Sequence, residues 1–78
     1  MRILFFAHLK GVTGCAEMRL TCERADTDEL WRQLIAAYPD LARFRSSVRL
    51  AQNSEYVGRD ATFTDADEVA LIPPVSGG

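Results

Sequence analysis

The chain has little of what catalysis or metal binding requires. Its 78 residues hold one histidine, His8, and two cysteines, Cys15 and Cys22. There is no C-x-x-C pair, which excludes the common zinc and redox frameworks. Cys22 falls in an alternating pattern and reads as a small core residue, while Cys15 lies in an expected loop, open to solvent. Both read as structural or incidental. "GVTG" (Gly11 to Gly14) lacks the Walker lysine and reads as a loop, so no phosphate cradle is present. Long apolar runs are absent too. "ILFFAHL" after Met1-Arg2 is too short to span a bilayer, and no small-residue cleavage site follows it. The expected location is therefore the cytoplasm. The nine basic residues are scattered from Arg2 to Arg59 and the net charge is -2, which argues against nucleic acid and anionic membranes as partners.

What is present is a globular composition, 47% hydrophobic and 26% charged, in a length that allows one domain with a modest core. "RILFFAHL" (Arg2 to Leu9) is almost continuously apolar and reads as a central strand touched on both faces. Ile3, Phe5 and Ala7 would face one way, and Leu4, Phe6 and His8 the other. "KGVTGC" reads as a loop. "EMRLTCE" (Glu17 to Glu23) alternates as a half-buried strand, with Met18, Leu20 and Cys22 inward. In "ADTDELWRQLIAAYPD", Asp26 with Glu29 fits a capping box, and Leu30, Leu34, Ile35 and Tyr38 form one helical face. Pro39 stops that helix at Tyr38, and "DLARF" adds a further turn. "SVRLAQN" (Ser47 to Asn53), a short piece at Tyr56 and Val57, and Glu68 to Ile72 after a turn at Asp65 to Asp67 complete the strands.

Five short strands and one main helix cannot form a sandwich in this length. They fit an α+β fold, a mixed sheet with the helix across one face. A first hairpin, a helical crossover and a last strand returning beside the first give the ubiquitin-like β-grasp. Ile3, Phe5, Val69 and Leu71 would then pack under Leu30, Leu34 and Ile35. Leu4, Phe6 and Ile72 would point to the uncovered face, which is too apolar for a solvated one.

The chain divides into a domain over 1–72 and a tail over 73–78. Pro73 and Pro74 lack backbone donors and hold φ near about -65°, so the tail is stiff. Its six residues reach at most about 20 Å. Gly77 and Gly78 thin the end to bare backbone that fits a channel too narrow for side chains. The tip is an α-carboxylate, inert as an anion, which ATP-dependent adenylation would turn into an acyl donor for a sulfur or amine nucleophile. A disordered end fits a polar tail better than two prolines before two glycines.

"RILFFAHLK", "NSEYVG" and "DADEVALIPPVSGG" together resemble the MoaD family, the small subunits of molybdopterin synthase, over essentially the whole chain. The resemblance implies a sulfur carrier that is not an enzyme by itself and binds no cofactor or metal. An activating enzyme of the ubiquitin E1 class (MoeB-like) would adenylate Gly78 with Mg-ATP, and a sulfur donor would convert the adenylate to a thiocarboxylate. The carrier would dock on a MoaE-like large subunit, in a heterotetramer of two large and two small subunits, and sulfurate cyclic pyranopterin monophosphate. Gly78 is then the acceptor and Gly77 the neck, Pro73, Pro74, Val75 and Ser76 form the insertion arm, and Phe6, Ile72 and Lys10 are docking positions. Asp65-Ala66-Asp67 departs from the family's Asp-Gly-Asp turn. Related readings are a carrier for another acceptor (thiamine thiazole, cysteine or a tungsten cofactor), a ubiquitin-like protein modifier and an interaction module with an inert tail.

Overall fold

Alternating and continuous apolar runs fold here around two neighbouring strands from opposite ends of the chain. The computed structural model describes residues 1–73. Strand β1 (Arg2–Phe5) pairs in parallel with the last strand, β7 (Glu68–Ile72), placing Ile3 opposite Val69 and Phe5 opposite Leu71. On its other side β1 pairs antiparallel with β2 (Glu17–Arg19). Strand β4 (Arg49–Gln52) pairs antiparallel with β7, and β5 (Glu55–Val57) antiparallel with β4. The sheet order is β2-β1-β7-β4-β5. One helix, α2 (Thr27–Ala37), lies over one face and buries Leu30, Trp31 and Leu34. Ile3, Phe5, Val69 and Leu71 are buried beneath it in the same core. This is the expected five-stranded mixed sheet of a ubiquitin-like β-grasp.

The start of α2 follows from its cap. Asp26 holds an extended backbone, and its carboxylate accepts from the Glu29 backbone N–H at 2.8 Å, satisfying one of the free donors of the first turn. Only half of a capping box forms, because the Glu29 side chain accepts from Gln33 instead. Tyr38 leaves helical geometry before Pro39, and a 3-10 helix over Pro39–Phe44 supplies the additional turn.

Three expectations need correction. The first strand ends at Phe5, not Leu9. Ala7 adopts φ 52°, a left-handed geometry that reverses the chain, so it is exposed and does not face the core. The expected loop after it is instead helix α1 (Leu9–Thr13), whose Leu9 returns to the core. Gly14 ends α1 at φ 81° with its N–H on the Lys10 carbonyl, a conformation open to glycine at little cost.

The second strand is also shorter than its alternation. It stops at Arg19, and the chain crosses to β3 (Arg24–Asp26), which pairs antiparallel with β6 (Thr62–Thr64) in a separate two-stranded sheet. The cause is local. The Asp65 carboxylate accepts from the Cys22 backbone N–H and from the Met1 ammonium, and the Leu20 carbonyl accepts from the same ammonium. These bonds draw the backbone away from the main sheet. Strand β6 carries a single core residue, Phe63, and so lacks a periodic signature.

The turn before β7 resolves the departure at Ala66, which keeps a negative φ and so needs no glycine. Asp67 organises the region. Its carboxylate accepts from the Thr64 backbone N–H at 2.8 Å, the Gln52 amide at 2.8 Å and the Asn53 amide at 3.0 Å. Asn53 and Ser54, at φ 50° and 74°, make the two-residue turn between β4 and β5.

The three donors around Asp67, the Thr64 N–H foremost, hold its carboxyl below the ordinary value of 3.8. The Met1 ammonium and the Cys22 N–H do the same for Asp65. A carboxyl depressed by folding contributes stability that is present above its unfolded value and is lost as pH falls through the folded one. The urea midpoint is therefore expected to drop as pH falls below about 4, and Asp67→Asn to flatten that slope. An acid slope unchanged in Asp67→Asn would refute this role for Asp67.

Candidate functional site

Side chains alternate across a sheet, so the strands that bury Ile3, Phe5, Val69 and Leu71 must turn Leu4, Ala70 and Ile72 to the opposite face. Among the described residues no helix covers that face. Ala70 pairs with Leu4 on one side and with Ala51 on the other, so two methyl groups meet at the centre of the sheet. Larger side chains stand around them. The result is a depression of about 260 Å³ lined by Leu4, Phe6, Tyr56 and Ile72 above the two alanines, with Ser54 and Glu68 at its margin.

Phe6 is 43% exposed and Tyr56 58%, and these are the exposed large hydrophobic residues among the described ones. Most apolar side chains of this size are withdrawn from water, so two flanking one apolar hollow make this face the candidate interaction surface. The Arg49 guanidinium lies 4.4 Å from the Tyr56 ring centroid and steadies the ring at the rim. At the opposite margin Arg2 bonds Glu68 at 3.0 Å and also pairs with Glu17, so the charges there are internally matched.

Phe6 and Ile72, expected on this face, line one hollow. Lys10 is exposed on α1 and is not among the residues lining it. Pro73, expected to begin the arm, is buried at the end of β7. Pro74, Val75, Ser76, Gly77 and Gly78 lie outside the described residues. Tyr56 was missed as a site residue. Its signal was positional: it pairs with Ala51, and so shares a face with Ala70.

The cysteines are both half-buried. Cys15, expected in an open loop, has its sulfur 3.5 Å from the Tyr38 hydroxyl. That contact and partial burial raise the hydroxyl's pKa above 10.0. Among the described residues no three His, Cys, Asp or Glu side chains are grouped to hold a metal ion. A larger open cleft of about 1040 Å³ lies between Trp31, Arg45 and Arg59, with Arg45 paired to Asp28. None of Phe6, Lys10, Ile72 and Pro73 lines it.

The arrangement among the described residues is thus an apolar face at the sheet centre, lined mainly by hydrophobic side chains. The sequence model of the ThiS family matches residues 3–78. The chain belongs to that family. It is 38% identical over 81 residues to a molybdopterin synthase sulfur carrier subunit of Chlamydomonas reinhardtii, covering 100% of this chain and 98% of that one. The Escherichia coli protein of the same name is 36% identical, with 100% and 99% covered. Among solved structures, the small archaeal modifier protein 1 of Haloferax volcanii superposes with a TM-score of 0.85 at 29% identity, covering 100% and 98%. For a ThiS-family chain, the hollow under Phe6 and Tyr56 is the surface to test first.

The two faces predict opposite responses to truncation. Leu71→Ala, at a fully buried position, is expected to cost about 2–5 kcal/mol in urea unfolding. Phe6→Ala is expected to cost about 1 kcal/mol or less, because its ring is already in contact with water. Equal losses at the two positions would mean that Phe6 is a core residue.

Proposed function

We propose that this chain is the sulfur-carrier subunit of a molybdopterin synthase, acting in the cytoplasm. The observation that carries the reading is the uncovered hollow of Leu4, Phe6, Tyr56 and Ile72 on the strand that leads into the Gly-Gly terminus. A partner seated there would receive the terminus beside its own active site. The names of the relatives support the same assignment.

In this reading an adenylating enzyme of the ubiquitin E1 class uses Mg-ATP to join AMP to the Gly78 carboxylate, releasing pyrophosphate. A sulfur donor then displaces AMP and leaves a thiocarboxylate. Gly77 keeps the end narrow, and Pro74, Val75 and Ser76 carry it into a large subunit, while Pro73 stays packed against the domain. There the thiocarboxylate sulfur attacks cyclic pyranopterin monophosphate, and two carriers in a two-plus-two heterotetramer supply the two sulfurs of a dithiolene. The domain contributes adhesion and reach, while the partners contribute the catalytic groups.

A second reading, a protein modifier joined through Gly78, is favoured by the close superposition on an archaeal modifier protein. Intact mass of the chain from its own cell separates the two. The carrier shows one oxygen replaced by sulfur, and the modifier shows a second polypeptide attached. Neither form, even with adenylating enzyme and ATP, would sink both.

Deleting Gly78 is expected to abolish sulfur transfer while cooperative unfolding persists, measured by thiocarboxylate formation and urea denaturation. Phe6→Asp is expected to weaken capture of the large subunit by about tenfold or more. A Phe6→Asp chain that binds normally would remove the hollow from the docking surface.

A further inference from the structure

Of the nine basic residues, eight are arginines and one, Lys10, is a lysine. The two cations differ sharply toward an activated acyl group. A guanidinium stays protonated and offers no free amine, whereas a lysine amine becomes a nucleophile once it loses its proton. The chain therefore carries positive charge almost everywhere in a form that an acyl-adenylate cannot acylate.

Among the described residues two primary amines are present. The α-amine of Met1 is engaged, donating to the Leu20 carbonyl at 2.8 Å and to the Asp65 carboxylate at 2.9 Å. It is committed to the bonds that separate β2 from β3. Lys10 is the opposite case. It is exposed in the last turn of α1, and among the described residues it forms no ion pair. Its helix is anchored independently of its side chain, by Leu9 in the core and by the Lys10 N–H on the Ala7 carbonyl at 3.2 Å.

We propose that Lys10 is an acyl-acceptor site, whose amine takes the activated Gly78 carboxyl of a second copy of this chain. The inference rests on the reading of Gly78 as an adenylated terminus. The neutral Nζ attacks the carbonyl carbon of the acyl-adenylate, a C–N bond forms, and the C–O bond to AMP breaks. AMP leaves with the bonding pair, and the extra amine proton passes to solvent. No oxidant or reductant takes part. Lys10 is the one lysine of the sequence, so copies joined through lysine share a single type of linkage. Lys10 and the sulfur donor compete for the same adenylate, so linkage rises when sulfur is scarce.

The test uses the full chain with its adenylating enzyme and Mg-ATP, divided between a sample with hydroxylamine and one with no added nucleophile. A hydroxamate on Gly78 in the first reports activation. The expected product in the second is a covalent dimer, two chains less one water by intact mass. Trypsin should release a branched peptide joining residues 60–78 to Lys10 within residues 3–19. Adding a sulfur donor should lower its yield. Hydroxamate without dimer would overturn the Lys10 site alone. So would a branch at the Met1 amine, or a thiol-labile thioester at Cys15 or Cys22. Absence of the hydroxamate would overturn the activation reading and this site with it.

Discussion

The parallel pairing of β1 with β7 is the constraint on which the rest depends. It joins the first residues of the chain to nearly the last, and brings Ile3, Phe5, Val69 and Leu71 into one buried layer under α2. Contacts this distant in sequence cost loop-closure entropy before they return any energy, so the core must be large enough to offset it. Four fully withdrawn side chains on two adjacent strands, with the rest of the core, do this in a chain of only 78 residues. Because β7 is central, its ladder groups are used on both sides, by β1 and by β4. The last described strand is therefore held on both sides rather than lying at an edge.

That placement governs the opposite face. Alternation on β7 turns Ala70 and Ile72 outward at the same positions that bury Val69 and Leu71. Strand β5 supplies Tyr56 through a turn held to the start of β7, with Asn53 accepting from the Glu68 N–H at 3.0 Å and donating to Asp67 at 3.0 Å. Phe6 arrives by a different route. It is the first residue beyond β1, just before the left-handed Ala7 that bends the chain into α1. The hollow is thus assembled by three separate backbone devices around one strand.

Much of this was legible in the sequence, and its limits have physical causes. The Asp26 cap, the Leu30–Leu34 stripe and the stop at Pro39 are local signals, and the helix follows them. Phe6 and Ile72 were readable because alternation on a two-sided strand leaves apolar residues with no helix to cover them. Ala7 was not, since a left-handed alanine is unfavourable on its own and is held by its surroundings. The break after Arg19 was hidden for a similar reason. Asp65, distant in sequence, captures the Cys22 N–H, and no pattern within Glu17 to Glu23 reports that bond. Strand β6 shows one apolar residue, too few for a period. Tyr56 became a site residue only through its register with Ala51.

The size of the hollow bears on what kind of partnership it serves. Ala51 and Ala70 keep its floor low, so a partner's side chain enters without displacing the sheet. Among the described residues four larger apolar side chains, Leu4, Phe6, Tyr56 and Ile72, surround it. Affinity in such a face comes from a few anchors rather than from area, and a small anchor set favours release as well as capture. A permanent subunit contact would call for a broader apolar surface, which would also expose a marginal domain to aggregation. A compact hollow with two exposed aromatic rings, one braced by Arg49, fits an anchor set of that limited kind and leaves the core beneath it undisturbed.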